Sequence, residues 1–146
     1  MESQTHTEVV RAPIELCFAT LVDFAEYPSW FRVIRKATIE NADDAAGRWT
    51  VRFELDAILK TITYTLDYDS ERPSRLTWKM KEGDLKAIDG EYQLVELEPG
   101  LTEATCTQSI DVGLWVPGLV RRAFEQTAIV DSVREFKQAA EARAGV

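Results

Sequence analysis

The groups in this sequence able to hold or polarise a substrate lie on one face of a run of strands. Tyr64, Tyr68 and Tyr92 fall at the inward positions of alternating apolar and polar residues, and Gln108 interrupts an apolar series between Cys106 and Ile110. Phe53 and Trp78 share that face, and the helical spacing of the C-terminal segment places Phe124 opposite them. Phenol hydroxyls, an indole N–H and a carboxamide orient a bound molecule by hydrogen bonds. A buried Tyr or Trp takes its partner from protein, water or ligand, although aromatics on an inner strand face also serve simply as core. A buried amide left without hydrogen bonds costs about 1–3 kcal/mol, so Gln108 either has protein partners or faces a wet cavity. Acid–base catalysis asks for a side chain titrating near neutrality, or for oriented hydroxyls and water. No Asp, Glu, His or Arg falls on the inward positions, although a bulge would bring Arg52, Glu54 or Asp67 inward. No catalytic residue is therefore assigned, and the balance moves from turnover toward binding.

Other chemistries are poorly provided for. His6 is the single histidine, which excludes His-rich zinc sites and allows a Ser–His–Asp triad only if a residue next to the chain end, where side chains are mostly solvated, is the base. Cys17 and Cys106 are in no CxxC spacing; they form one disulfide or, as expected here, two buried thiols in a reducing cytosol. Asp43-Asp44 lacks the oxygen spacing of a calcium loop, and Gly83, Gly90 and Gly100 stand alone rather than in a phosphate-binding loop, so neither metal nor cofactor is expected. The 25 acidic residues outnumber the 17 basic ones, giving a net charge of −8 that repels nucleic acid and anionic membranes. Met1 to Arg11 is polar and no run approaches the roughly 18 apolar residues of a membrane span. The expectation is a cytoplasmic protein with no nucleic-acid partner and no stable membrane insertion.

The elements that position these side chains are legible from periodicity. The 146 residues suit a single domain, 1–146. Thr5 to Arg11 reads as a strand ended by Ala12-Pro13, and Pro13 suits the first turn of a helix carrying Leu16, Phe18, Leu21 and Val22. Tyr27-Pro28 breaks that run, and Ser29 is placed to cap a short turn with Trp30 and Phe31. From Ile34 to Val112 the period is two, as in Trp49, Val51, Phe53 and Leu55, or Leu76, Trp78 and Met80. Such alternation gives each strand one wet and one buried face, as in an antiparallel sheet. Turns fall at Asp43-Asp44 with Gly47, around Pro73, at Glu82-Gly83-Asp84 and at Pro99-Gly100. From Leu119 to Ala142 the period turns helical, with Asp131, Arg134 and Glu135 read onto the side away from Val130, Val133 and Phe136. The predicted fold is α+β: a curved antiparallel sheet of six to seven strands wrapped around one long C-terminal helix, with short N-terminal helices.

One helix about 10 Å wide covers only part of a broad, twisted sheet. The remainder is filled by large side chains or left as a pocket, and an apolar pocket with a few convergent polar groups is a small-molecule site. The apolar loop Leu114-Trp115-Val116-Pro117 is a lid over such a pocket, a dimer contact, a membrane-touching tip, or a loop tucked onto its own domain. Trp30-Phe31 forms the opposite rim or packs a helix end.

Several local stretches carry a family likeness. They are Val10-Arg11-Ala12-Pro13 followed by Phe18, Leu21-Val22-Asp23-Phe24 with Tyr27-Pro28-Ser29-Trp30, Asp89-Gly90-Glu91-Tyr92, Thr105 to Ser109, and Pro117-Gly118. In this order the chain resembles the START-like helix-grip superfamily, in its polyketide cyclase/dehydrase branch (SRPBCC-type ligand-binding proteins). The resemblance implies a hydrophobic cavity between sheet and long helix, in a family whose members bind lipids, quinones, polyketides or hormones and include aromatase/cyclases. It transfers no catalytic residue. The leading expectation is a carrier or binding protein for a small hydrophobic ligand, contacted by Phe53, Tyr64, Tyr68, Trp78, Tyr92, Gln108, Trp115 and Phe124. The alternatives are a polyketide cyclase/dehydratase and a protein-interaction module, with homodimerisation through the Trp115 loop left open.

Overall fold

Alternation in burial along six of the seven strands builds the molecule. The computed structural model describes residues 3–56, 60–113 and 117–146, the side chains at 119, 120 and 122–127 excepted. The strands are β1 (Gln4–Val10), β2 (Ile34–Asp43), β3 (Arg48–Asp56), β4 (Thr61–Glu71), β5 (Arg75–Gly83), β6 (Ala87–Glu98) and β7 (Leu101–Asp111). They form one antiparallel sheet in the order β1-β7-β6-β5-β4-β3-β2. Five consecutive hairpins make the meander from β2 to β7, and β1 returns to pair with β7 at the far edge. Helix α1 (Ile14–Val22), a 3-10 turn (Phe24–Glu26) and α2 (Tyr27–Trp30) bridge from β1 to β2, and α3 (Gly118–Arg143) closes the chain. This is the helix-grip architecture, with a C-terminal helix of 26 residues, about 39 Å at 1.5 Å per residue.

Two local readings of the sequence are corrected. Ser29 does not cap the second short helix; it lies inside α2, and its hydroxyl donates to the Glu26 carbonyl, one turn back. Phe31 stands beyond α2 in extended conformation. The one register shift between β4 and β5 skips Lys81, so it carries none of Arg52, Glu54 or Asp67 to the inner face. Arg52 and Asp67 stay exposed on the outer face.

Helix α3 packs chiefly over β1, β7 and α1. Its core stripe is Ile129, Val133, Phe136 and Ala140, all at most 3 % exposed and spaced so that they share one face. Polar contacts fasten its end. The Glu141 carboxylate accepts the Arg11 N–H at 2.9 Å and lies 3.2 Å from the Lys137 ammonium, which itself donates to the Val9 carbonyl. Arg143 pairs with Asp23 at the end of α1.

Burial works against the Glu141 charge, but the Arg11 N–H groups and Lys137 outweigh it and hold the carboxyl below its usual value of 4.5. A lowered folded-state pKa stabilises the fold above the unfolded value, and that stabilisation is lost as pH falls through the folded one. Glu141→Gln should therefore cost ~1.5 kcal/mol at pH 7, in the range of hydrogen bonds to a charged group. Thermal unfolding of the pair from pH 7 to pH 3 should show the gap shrinking only below about pH 4.5. A gap that stays constant to pH 3 would mean that the carboxylate's charge is not what fastens the helix.

Candidate functional site

Because α3 sits over β1 and β7, the inner faces of β3, β4 and β5 are left to wall a cavity of about 520 Å³. That volume falls among the roughly 300–1,000 Å³ of small-molecule sites. Phe53 and Leu55 enter from β3, Tyr64, Leu66 and Tyr68 from β4, Trp78 from β5, Ile88 and Tyr92 from β6, and Cys106, Gln108 and Ile110 from β7. These are the inward positions of the alternation. Tyr27, Trp30 and Phe31 supply the wall opposite, so the Trp30-Phe31 pair lines the cavity as well as abutting the core.

Six of the eight site residues named from the sequence thus share one cavity: Phe53, Tyr64, Tyr68, Trp78, Tyr92 and Gln108. Trp115 and the side chain of Phe124 lie outside the described residues. All four tyrosines of the chain line the cavity, because Tyr27 joins the three on the strands. Their rings form two runs joined by Phe24: Tyr27 lies 5.7 Å from Phe53 and Phe53 5.9 Å from Tyr64, Tyr68 lies 6.0 Å from Trp78 and Trp78 5.8 Å from Tyr92, and Phe24 stands 5.5 Å from Tyr27 and 4.4 Å from Tyr68.

One rung of the sheet carries a specific device. Trp78, Gly90 and Gln108 are register partners across β5, β6 and β7. The absent side chain at Gly90 lets the indole lie flat across β6, and its Nε1–H donates to the Gln108 Oε1 at 3.0 Å. A Cβ at position 90 would stand under 3.0 Å from Cε2, Cζ2 and Nε1 of that indole. Gln108 therefore has both a protein partner and a cavity face. Its amide N–H groups have no partner among the described residues.

The other polar groups divide into engaged and open ones. The Tyr27 hydroxyl donates to the Leu21 carbonyl at 2.6 Å, and Tyr92 hydrogen-bonds the Cys106 thiol. Among the described residues the hydroxyls of Tyr64 and Tyr68 have no hydrogen-bond partner and line the cavity, whereas the Trp30 Nε1–H is the one side-chain polar atom fully buried without one. Burial pushes all four phenols above their ordinary value of 10. It pushes the Cys106 thiol up to about 12, against the hydrogen bond from Tyr92. At neutral pH the wall therefore holds neutral hydroxyls and an unreactive thiol. It offers hydrogen-bond donors and no phenolate base.

A tyrosine that ionises more readily unfolded than folded takes stability away as pH rises through its unfolded value. Titration followed at 295 nm should show no phenolate below pH 10 in the folded protein, then ionisation of all four tyrosines together with unfolding. A phenolate titrating at or below pH 10 without unfolding would contradict the buried cluster.

Residues that strand alternation could not reveal complete the mouth. Ala128, Asp131, Ser132 and Glu135 line the cavity from α3, spaced i, i+3, i+4 and i+7 beside the core stripe. The helical reading puts Asp131 and Glu135 on the far side; Asp131 is indeed exposed, at the rim, whereas Glu135 is half-buried in the cavity lining. Asp56, the last residue of β3, is the third acidic residue of the lining. His6 also differs from a solvated terminal residue: its Nε2 meets the Glu8 carboxylate at 2.5 Å on the inner face of β1, outside the cavity lining. Cys17 and Cys106 are both buried free thiols. Among the described residues no cluster of three His, Cys, Asp or Glu could hold a metal, and no helix is long and apolar enough to cross a membrane.

The fold has close counterparts. The aromatase/cyclase Zhui from Streptomyces sp. R1128 superimposes with a TM-score of 0.83 at 21% identity, over 98% of this chain and 95% of that one. A START superfamily protein from Mycobacterium smegmatis gives 0.78 at 19% identity, over 97% and 95%. A STAR-related lipid transfer protein from Xanthomonas axonopodis gives 0.71 at 12% identity, over 94% and 85%. At these identities the likeness is one of fold. No curated protein matches by sequence. The sequence profile of one family, described as polyketide cyclase / dehydrase and lipid transport, matches residues 1–142. With nearly the whole length matched and the cavity of that fold in place, the chain belongs to the polyketide cyclase / dehydrase and lipid transport family.

Proposed function

We propose that the chain is a carrier or binding protein for a small hydrophobic ligand that carries carbonyl or similar acceptor oxygens, as a lipid, quinone or polyketide-like molecule does. One observation carries this reading: hydrogen-bonding groups without a partner among the described residues, the Tyr64 and Tyr68 hydroxyls and the Gln108 amide, line an aromatic cavity of about 520 Å³. A ligand oxygen placed against them gains hydrogen bonds away from bulk water. The apolar wall supplies about 25 cal/mol for each Å² of ligand surface it removes from water. Phe53, Tyr64, Tyr68, Trp78, Tyr92 and Gln108 are the proposed contacts, with Trp115 and Phe124 as further ones from the sequence.

Cyclisation with dehydration is the second reading, supported by the likeness to an aromatase/cyclase. Aldol closure removes a proton from carbon beside a carbonyl and develops charge on the carbonyl oxygen. Protonated Tyr64 and Tyr68 suit that oxygen, whereas the carboxylates of the lining among the described residues, Asp56, Asp131 and Glu135, stand at the mouth. A base at the mouth and donors at the wall favour holding a ligand over turning it over.

Native mass spectrometry of protein purified from its own source tests both. A co-purifying lipid, quinone or polyketide, released unaltered after incubation, is the expected result. Release of a cyclised or dehydrated product would favour the second reading, and a protein without adduct that binds no such molecule when offered would overturn both.

A further inference from the structure

Gln108 is the one carboxamide of the cavity lining among the described residues. A carboxamide offers an acceptor oxygen at one end and two N–H donors at the other, and a half-turn of its last bond exchanges them. An indole N–H can only donate. Trp78 has little freedom to move: it is 9 % exposed, its ring lies against Gly90, and the rings of Tyr68 and Tyr92 stand 6.0 and 5.8 Å away. Its Nε1–H donates to the Gln108 Oε1 at 3.0 Å. Turned over, the amide would set N–H against N–H and leave both donors unpaired. The indole therefore holds the oxygen. The nitrogen, with no partner among the described residues, is the end left for a ligand. The neighbouring open groups make no such choice, because the Tyr64 and Tyr68 hydroxyls both donate and accept.

We propose that Trp78 is a positioning residue that gives Gln108 one fixed polarity toward the cavity. With Oε1 tied to the indole, the site selects a ligand that sets a carbonyl oxygen against the amide N–H groups, as a conjugated ketone or quinone does. It rejects a molecule of the same shape with an N–H in that place, because two donors then face each other and neither is satisfied. The selection rests on the reading of this cavity as a ligand site. It adds to that reading the residue that enforces the choice and the isostere that is turned away.

Three flat probes of one skeleton test it by equilibrium dialysis: 9-fluorenone with a carbonyl, carbazole with an N–H and fluorene with a CH2 at the same ring position. Each is measured on the parent and on Trp78→Phe, so that the solvation of the free probe cancels between the two proteins. The parent should bind fluorenone tighter than carbazole. In Trp78→Phe the freed amide can turn over to accept the N–H. Carbazole should then gain about fivefold relative to fluorene, the worth of one net hydrogen bond, while fluorenone relative to fluorene stays within about twofold. A wall residue without this role would shift all three probes together. Amide ¹⁵N spectra of the parent give a readout that needs no variant: fluorenone should move the Gln108 side-chain N–H resonances and leave the Trp78 Nε1–H in place. A parent that prefers carbazole, a parallel shift of all three in Trp78→Phe, or a fluorenone that moves the indole N–H instead of the amide overturns the selection and leaves the cavity reading standing. Failure of all three probes to bind the parent overturns both.

Discussion

Phe136→Ala should lower folding stability by about 3–5 kcal/mol, the usual cost of emptying a phenylalanine site in a closed core. Phe136 is fully buried, 5.2 Å from the Tyr92 ring and 6.3 Å from that of Trp30. It joins the core stripe of α3 to the wall of the cavity. For a chain of this length the loss corresponds to a fall in Tm on the order of 10 °C. Ser132→Ala, one turn earlier on the cavity face, should stay within about 0.5 kcal/mol of the parent. Among the described residues the Ser132 hydroxyl bonds only the Ile129 carbonyl of its own helix. Urea unfolding of both variants measures the contrast. Equal losses would mean that α3 is rotated about its axis, with the 132 face on the sheet, and the two-stripe description of the helix would be wrong.

That contrast also explains what the sequence could and could not reveal. Trp49, Val51, Phe53 and Leu55 alternate with polar residues because β3 has one wet face and one dry face, so the inward set could be read directly, as it could for Leu76 and Trp78 on β5. β2 shows no such signal: it is an edge strand, exposed along nearly all its length, with two register shifts against β3. Helix α3 misled for a different reason. It serves two surfaces at once, a packed core and a cavity, and polar residues facing a cavity look in sequence like residues facing water. Glu135 therefore reads as solvated, although it is half-buried in the cavity lining, while Asp131 is exposed as its helical position implies. The strand aromatics of the site were legible because apolar walls obey the same alternation as a core. The rim was not, since it is set by where α3 lies across the sheet.

Gly90 shows the same limit at a single position, and it carries the second large effect. Glycine inside a strand reads as a weak point or a bulge; here it makes room for the Trp78 indole. Gly90→Ala should cost roughly 2–3 kcal/mol, as overpacking does in a close-packed site. The new Cβ would stand under 3.0 Å from three atoms of a rigid ring rather than against a flexible chain end. The indole must tilt into the cavity, which breaks its 3.0 Å hydrogen bond to Gln108 and narrows the space for ligand. A neutral aromatic probe should accordingly bind at least tenfold more weakly, and the indole emission should change. A loss of strand propensity cannot be the cause, because alanine suits a strand interior better than glycine. The double-mutant cycle with Trp78→Phe isolates the clash. Phe removes the outer ring and the Nε1–H together, so Gly90→Ala in that background should cost at least 1 kcal/mol less than in the parent, well beyond the roughly 0.3–0.5 kcal/mol within which independent sites add. Strict additivity in urea unfolding would show that position 90 acts on something other than the indole, and the Trp78–Gly90–Gln108 rung would lose its role in shaping the cavity.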